Sequence, residues 1–336
     1  MVESEVVARL SKLVPKQLAI DVVGGSVYWA IKNSGLIDAF GRSVRNRFPR
    51  FVHVNSPSSE FRNKFLKLLP EGTPLGLGPH GSHVEGLVIA DEVNELVNIA
   101  REEGMGDLLP GFIIPVAASM ESGHQGPFLK GIYPHMRDYA VDRRLKFMPS
   151  VREKDKKTYG MTPRLQDIKD FNAEMASGMG VMALPEASVQ AGRHPRWYFP
   201  FGPVNGMQEV KSEDLLKLYR DAKFHGRGEH PFFVLMVHTG AHHLYSADSL
   251  LPTQEGLIGL WDTTTNFFVR FGYKRPIIEA SFVEVVSDED LGIADIDMRH
   301  LKDEAKEKVI KHINSYLMRK IAMAMDERYR GFYKTQ

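Results

Sequence analysis

A histidine and a carboxylate separated by four residues stand in the segment 79–85, which reads Pro-His-Gly-Ser-His-Val-Glu. With this spacing, the side chains of His80 and Glu85 can meet within one tight turn. The acid can then hold the imidazole in the tautomer and orientation that a general base requires. The alternative is the first turn of a helix with two incidental histidines. We interpret His83 as a structural or solvent-facing residue.

A second segment whose residues could take part in binding or catalysis begins about a hundred residues later, at the end of the apolar run 180–184. Glu186 follows this run and is itself followed by the small residues Ala187 and Ser188. An acid after a buried strand is suited to binding a polyol hydroxyl, because small neighbours let a ligand approach the backbone. A turn that merely ends a strand is the alternative.

Arg143 closes the segment 139–143, which reads Tyr-Ala-Val-Asp-Arg and which we predict to be a short strand. An arginine at a strand end can hold a phosphate or a carboxylate through two parallel hydrogen bonds. A surface ion pair with Asp142 or another acid explains this residue equally well.

Strand and helix patterns alternate from about residue 73 onward. Strands are predicted over 51–54, 73–77, 111–117, 139–143, 180–184, 231–237 and 277–286. Helices are predicted over 58–69, 87–103, 165–177, 211–224 and 298–328, with a loop or broken helix over 119–138 and a charged loop over 148–163. This alternation favours an α/β fold in which a mostly parallel sheet is flanked by helices. Open sheets of this kind bind ligands beyond the carboxyl ends of their strands.

The segment 1–50 shows helical spacing interrupted by glycines, and two or three helices are predicted there. We therefore predict a small helical N-terminal segment over 1–70 and an α/β catalytic domain over 71–336. A chain of 336 residues is long enough for one large or two ordinary domains.

The composition narrows the classes of function. Apolar residues make up 43% and charged residues 25%, as in globular proteins with a sizeable core, and a net charge of +1 gives no indication of nucleic-acid binding. The absence of cysteine excludes disulfides, thiolate zinc sites and a cysteine nucleophile. The longest apolar runs fall far short of the roughly 20 residues of a membrane span. We expect a cytoplasmic protein, with or without transient contact with a membrane surface.

Taken in order, these segments resemble the conserved blocks of the glycerol-3-phosphate and lysophosphatidate acyltransferases. The segment 79–85 is similar to the first block, Asn-His-x-Ser-x-x-Asp, with Ser82 on the usual serine and Glu85 where the family has aspartate. The segment 139–143 resembles the second block. The segment 184–190 resembles the third, Phe-Pro-Glu-Gly-Thr-Arg-Ser, although Ala187 replaces the glycine and Val189 the arginine. The apolar run 232–237 is the candidate for the fourth.

The resemblance implies an α/β acyltransferase fold and transfer of a fatty acyl group to a hydroxyl. His80 would be the general base and Glu85 the acid that orients it. The acceptor would be glycerol 3-phosphate or a related glycerolipid, and the donor acyl-CoA or acyl carrier protein. Neither a metal nor another cofactor is implied. The implied substrate-binding residues are Ser82, Arg143, Glu186, Ala187, Ser188 and Arg193, of which Arg143 and Arg193 would hold the anionic group of the acceptor.

Two other classes of protein remain open at this point. A metal-dependent hydrolase would use His80, His83 and Glu85 as metal ligands. His238, His242 or His243, which lie within six residues of one another, would complete the ligand set. A non-catalytic lipid-binding protein of the same fold would bind acyl chains without turnover.

Overall fold

The computed structural model describes residues 41–42, 45–46, 49, 52–79, 85–118, 127–151, 153–184, 189–191, 204–207, 209–239, 278–325, 327 and 330–334. The helices within these ranges are α1 (Ser59–Leu68), α2 (Glu85–Glu102), α3 (Pro127–Asp142), α4 (Glu153–Tyr159), α5 (Leu165–Ala176), α6 (Asp214–His225) and α7 (Asp303–Ala324). The strands are β1 (Val52–Val54), β2 (Pro74–Leu77), β3 (Phe112–Ala117), β4 (Leu145–Ser150), β5 (Gly180–Ala183), β6 (Val189–Ala191), β7 (Val204–Met207), β8 (Phe232–Thr239) and β9 (Ile278–Val286).

Seven of these strands form one sheet in the order β1-β9-β8-β2-β5-β3-β4. Every neighbouring pair is parallel except β8 and β9, which are antiparallel. The prediction of a mostly parallel sheet flanked by helices is therefore confirmed. Strands β6 and β7 form a separate antiparallel pair.

Helices cover both faces of the sheet. One hydrophobic cluster joins α1, α2 and α3 to the first face, and a second joins α5, α6 and α7 to the other face. The alternation of side chains along β8 shows this division, because successive residues of a strand point to opposite faces. Phe232, Val234 and Met236 pack in the first cluster, whereas Phe233 and Leu235 pack in the second.

Local chemistry fixes the elements around the centre of the sheet. The side chain of Ser58 accepts a hydrogen bond from the backbone N–H of Phe61 and so caps the amino end of α1. Gly76 in β2 leaves room for the side chain of Met182 on the neighbouring β5, because a Cβ atom there would lie 2.1 Å from Sδ of Met182. Helix α5 ends at Ala176, and the chain turns away from it at Gly178, whose φ of 93° lies in the left-handed region that favours glycine.

Most strands and helices lie within a few residues of their predicted bounds, but four segments differ. The predicted charged loop over 148–163 contains the end of β4 and helix α4, and helix α3 already begins within the predicted loop or broken helix at 119–138. The last helix begins at Asp303 and ends at Ala324, so it is shorter than the predicted 298–328.

The prediction of a strand over 139–143 is wrong, because this segment is the end of α3 and the turn after it. Tyr133, Met136, Tyr139 and Ala140 are all buried on one side of this helix. Their spacing of three and four residues is that of a helical stripe, which the short segment taken alone does not reveal. An apolar strand that ends in arginine is therefore absent at this place.

Strand β1 and helix α1 precede the predicted boundary at residue 70, yet both belong to the sheet domain. Val52 pairs with Ile278 of β9, and Phe61 and Phe65 of α1 are buried in the first cluster. The α/β domain thus extends at least to Val52. The helices predicted over 1–50 lie largely outside the described residues.

Candidate functional site at the carboxyl edge of the sheet

Strands β2 and β5 bring the two predicted segments to the same edge of the sheet. The strands are parallel neighbours, with Leu77 paired to Ala183, and the N–H of Gly78 donates to the carbonyl of Ala183 at 3.4 Å. His80 follows Leu77 by three residues, and Glu186 follows Ala183 by three residues. The two connections therefore start side by side, in register, at the centre of the sheet.

Helix α2 begins at Glu85, directly after the first of these connections. The connection 78–84 thus joins the carboxyl end of a parallel strand to the amino end of a helix, as the sequence predicts. The backbone N–H groups of the first helical turn have no acceptor within the helix, and the helix dipole makes this end favourable for negative charge.

Most of the predicted site side chains fall outside the described residues. This is true of His80, Ser82, Glu186, Ala187, Ser188 and Arg193, and of the side chain of Glu85. The structure thus gives the strands and the helix that precede and follow the candidate site.

Arg143 lies at the other end of the sheet. It follows the last residue of α3 and precedes Leu145, the first residue of β4, so its backbone is at the amino edge of the parallel strands. His80 and Glu186 follow the carboxyl ends of β2 and β5. The sequence-based grouping of Arg143 with these two residues therefore has no support in the strand topology.

The guanidinium of Arg143 has a protein partner in Asp91 of α2. Its Nε donates to Oδ1 of Asp91, and the hydroxyl of Tyr139 donates to Oδ2 at 2.7 Å. The Cζ atom of Arg143 also lies 3.6 Å from the centroid of the Tyr139 ring. Burial raises the pKa of Asp91 above its ordinary value, while the hydrogen bonds from Tyr139 and Arg143 counteract this rise. These contacts tie α3 to α2.

This arrangement predicts that Arg143 stabilises the fold and does not bind the acceptor. We expect Arg143→Leu to lower the free energy of unfolding by about 1–3 kcal/mol, because Asp91 would lose a charged donor in a largely buried place. Urea denaturation measures this change. Arg137→Leu is the control, since Arg137 is an exposed residue of α3, the helix that Arg143 follows. A tenfold rise in the KM for an acceptor, with unchanged stability, would instead make Arg143 a substrate ligand.

A buried acid and a buried histidine, which were not grouped from the sequence, lie at the carboxyl edge. Glu92 of α2 and His238 of β8 have side chains that are 0% and 1% exposed, and Oε2 of Glu92 lies 3.9 Å from Nδ1 of His238. The ring of His238 stands beside β2, because a Cβ atom on Gly78 would lie 3.5 Å from its Cε1 and 3.7 Å from Cδ2 of Leu184.

A sequence signal for this pair exists in both elements. Glu92 interrupts the buried stripe of α2 at a spacing of four from Val88 and Leu96. His238 continues the alternation of Val234 and Met236, which face the same helix layer. His242 and His243 lie outside the described residues.

Within the described ranges, no group of three or more His, Asp or Glu side chains is arranged to hold a metal ion. In the same part of the chain, each helix is too short or too polar to cross a membrane. Comparison of the chain with family models, with curated proteins and with solved structures gave no match. The likeness to acyltransferases therefore rests on the motifs of this chain.

Proposed function

We propose that this protein is an acyltransferase that moves a fatty acyl group from acyl-CoA or acyl carrier protein to a hydroxyl of glycerol 3-phosphate or a related glycerolipid acceptor. In this proposal, His80 is the general base and Glu85 orients it. Glu186 positions the acceptor, with Ser82, Ala187, Ser188 and Arg193 around it.

The observation that supports this proposal is the register of β2 and β5. The residues that resemble the first and third acyltransferase blocks are about a hundred positions apart in the chain, yet they follow paired positions of adjacent parallel strands. Ligands of open α/β sheets bind at this edge. A chance likeness in two short segments does not require that they leave the sheet next to each other.

The proposed reaction is a direct transfer. His80 takes the proton of the acceptor hydroxyl while the hydroxyl oxygen attacks the thioester carbonyl. A carbon–oxygen bond forms, the carbon–sulfur bond breaks, and the thiolate leaves and takes up a proton. The carboxylate of Glu85 stabilises the imidazolium that forms. The N–H groups at the start of α2 are suited to stabilising the oxyanion.

The binding of the acceptor's phosphate differs from the expectation given by the resemblance. Arg143 is engaged by Asp91 at the amino edge of the sheet, so it is not included among the acceptor ligands. Arg193, which follows β6, and the amino end of α2 are the remaining groups for this anion.

An assay of the purified protein with a panel of donors and acceptors tests the proposal. Acyl-CoA and acyl-carrier-protein donors of several chain lengths are combined with hydroxyl acceptors, and thiol release is followed with and without acceptor. We expect release that depends on an acceptor, together with an acylated product. If no pair releases thiol, the proposal is wrong. Hydrolysis without transfer, together with stoichiometric zinc or iron, would favour the metal-dependent hydrolase instead.

A further inference from the structure

The pair formed by Glu92 and His238 is costly for the fold. Both side chains are enclosed in the layer between the sheet and α2, where Met236 and Val93 are fully buried. Burying a carboxylate and an imidazole removes the hydration of each, and their mutual attraction rarely exceeds this loss. Replacing such a pair by apolar residues of similar volume is often neutral or stabilising. Stability alone therefore does not explain why these residues occupy the site.

The position of the pair is the second observation. His238 lies on β8, which is hydrogen-bonded to β2 with Leu235 opposite Leu77. Its ring lies beside Gly78, because a Cβ atom added to Gly78 would be in van der Waals contact with the ring and with the side chain of Leu184. Gly78 and Leu184 are the first residues after β2 and β5, respectively. The pair therefore lies next to the first residue of each connection that carries the proposed site.

The geometry of the pair allows it to bond further groups. A separation of 3.9 Å is an electrostatic contact and is too long for a direct hydrogen bond. Imidazole has two nitrogens and carboxylate two oxygens, so each member can also bond a polar group of the neighbouring backbone or side chains. Glu92 lies on α2, whose first residue is Glu85, so the pair also connects β8 to the helix that ends the first connection.

We propose that Glu92 and His238 are positioning residues of the site at the carboxyl edge. Glu92 holds the imidazole of His238 beside Gly78, and the pair fixes the backbone at Gly78 and Leu184, from which the two connections start. The effect of the pair on turnover rests on the proposed acyl transfer, whereas its effect on the stability of the nearby backbone does not.

A double apolar variant separates this role from a purely structural one. We expect Glu92→Met with His238→Leu to keep or raise the midpoint of thermal unfolding, since the volumes are similar and no buried charge remains. We also expect kcat for acyl transfer to fall by about 100-fold, because small misplacements of catalytic groups have effects of this size. The KM for the acyl donor should stay within about threefold. Glu95→Met, on the same helix but half-buried, is the control.

Hydrogen exchange followed by mass spectrometry gives a readout that does not need turnover. In the double variant, we expect exchange of the amides in 78–90 and 181–191 to become about threefold faster or more, with no change over 303–324. If the double variant does not fold, Glu92→Gln, which keeps the size of the side chain and removes its charge, is measured in the same way.

The outcomes are distinct. Unchanged exchange in 78–90 and 181–191 overturns the positioning role, whatever happens to turnover. Faster exchange in these segments, with a kcat within about twofold of the wild type, overturns it as well, because positioning must affect the reaction. If the unaltered protein transfers no acyl group to any acceptor, the proposed function falls, and the exchange result alone decides whether the pair positions the connections.

Discussion

We expect the replacement of His80 by alanine to lower kcat for the proposed acyl transfer by about 10²–10⁴-fold, the usual contribution of a general base. The physical reason is that the acceptor hydroxyl must lose its proton as its oxygen attacks the thioester. Without the imidazole, only water can take this proton. The connection 78–84 lies between β2 and α2, outside both elements, so we expect the free energy of unfolding to stay nearly unchanged. Steady-state kinetics and urea denaturation measure the two quantities.

His83→Ala is the matched control for this experiment, since His83 belongs to the same connection and is interpreted as a structural or solvent-facing residue. We expect its kcat to remain within about threefold of the wild type. Full activity of His80→Ala would remove His80 as the base. An equal loss of kcat in His80→Ala and His83→Ala would indicate that both histidines bind a metal ion, as in the metal-dependent hydrolase.

The second largest effect that we expect is a fall in kcat of about 10²-fold or more when Glu85 is replaced by glutamine. An amide can still accept a hydrogen bond, but it neither carries the charge that stabilises the imidazolium nor favours the same tautomer of His80. The KM for the donor should change little, because Glu85 acts through His80. Steady-state kinetics with varied acyl-CoA measures both constants.

Glu85→Asp is the informative companion, because the resembling family has aspartate at this place. It keeps the charge and shortens the side chain by one methylene, so we expect kcat within about tenfold of the wild type. A glutamine variant as active as the aspartate variant would show that the charge of residue 85 is irrelevant. The pairing of His80 with Glu85 would then be abandoned.

The strands and helices at the centre of the sheet could be predicted because their patterns are strong. The buried runs 73–77, 180–184 and 231–237 are neighbouring strands of the sheet, and the buried apolar positions of α2 extend from Leu87 to Ala100. The order of the strands was not predicted. Parallel pairing depends on which helices cross which face, and this information is spread over the whole chain.

The errors have physical causes as well. The segment 139–143 contains too few residues to distinguish a period of two from one of 3.6, and only the helical stripe from Tyr133 to Ala140 resolves it. The strand predicted over 139–143 is also what places Arg143 at a strand end, whereas Arg143 follows α3 and pairs with Asp91 of α2. Glu92 and His238 were missed as a pair because their contact joins elements distant in sequence, and no local pattern connects them.

The antiparallel pairing of β8 and β9 has an evolutionary consequence. Thr239 at the end of β8 lies opposite Glu279 at the start of β9, so residues 240–277 enter and leave the framework at neighbouring points. Closing a loop between two fixed neighbouring ends costs little more free energy when the loop is longer. We therefore expect insertions between Thr239 and Glu279 to cost little free energy, because the pairing of β8 with β9 holds the two ends together. Since both ends of this stretch lie at the carboxyl edge, grafts at this place offer a route to new substrate preferences on an unchanged scaffold.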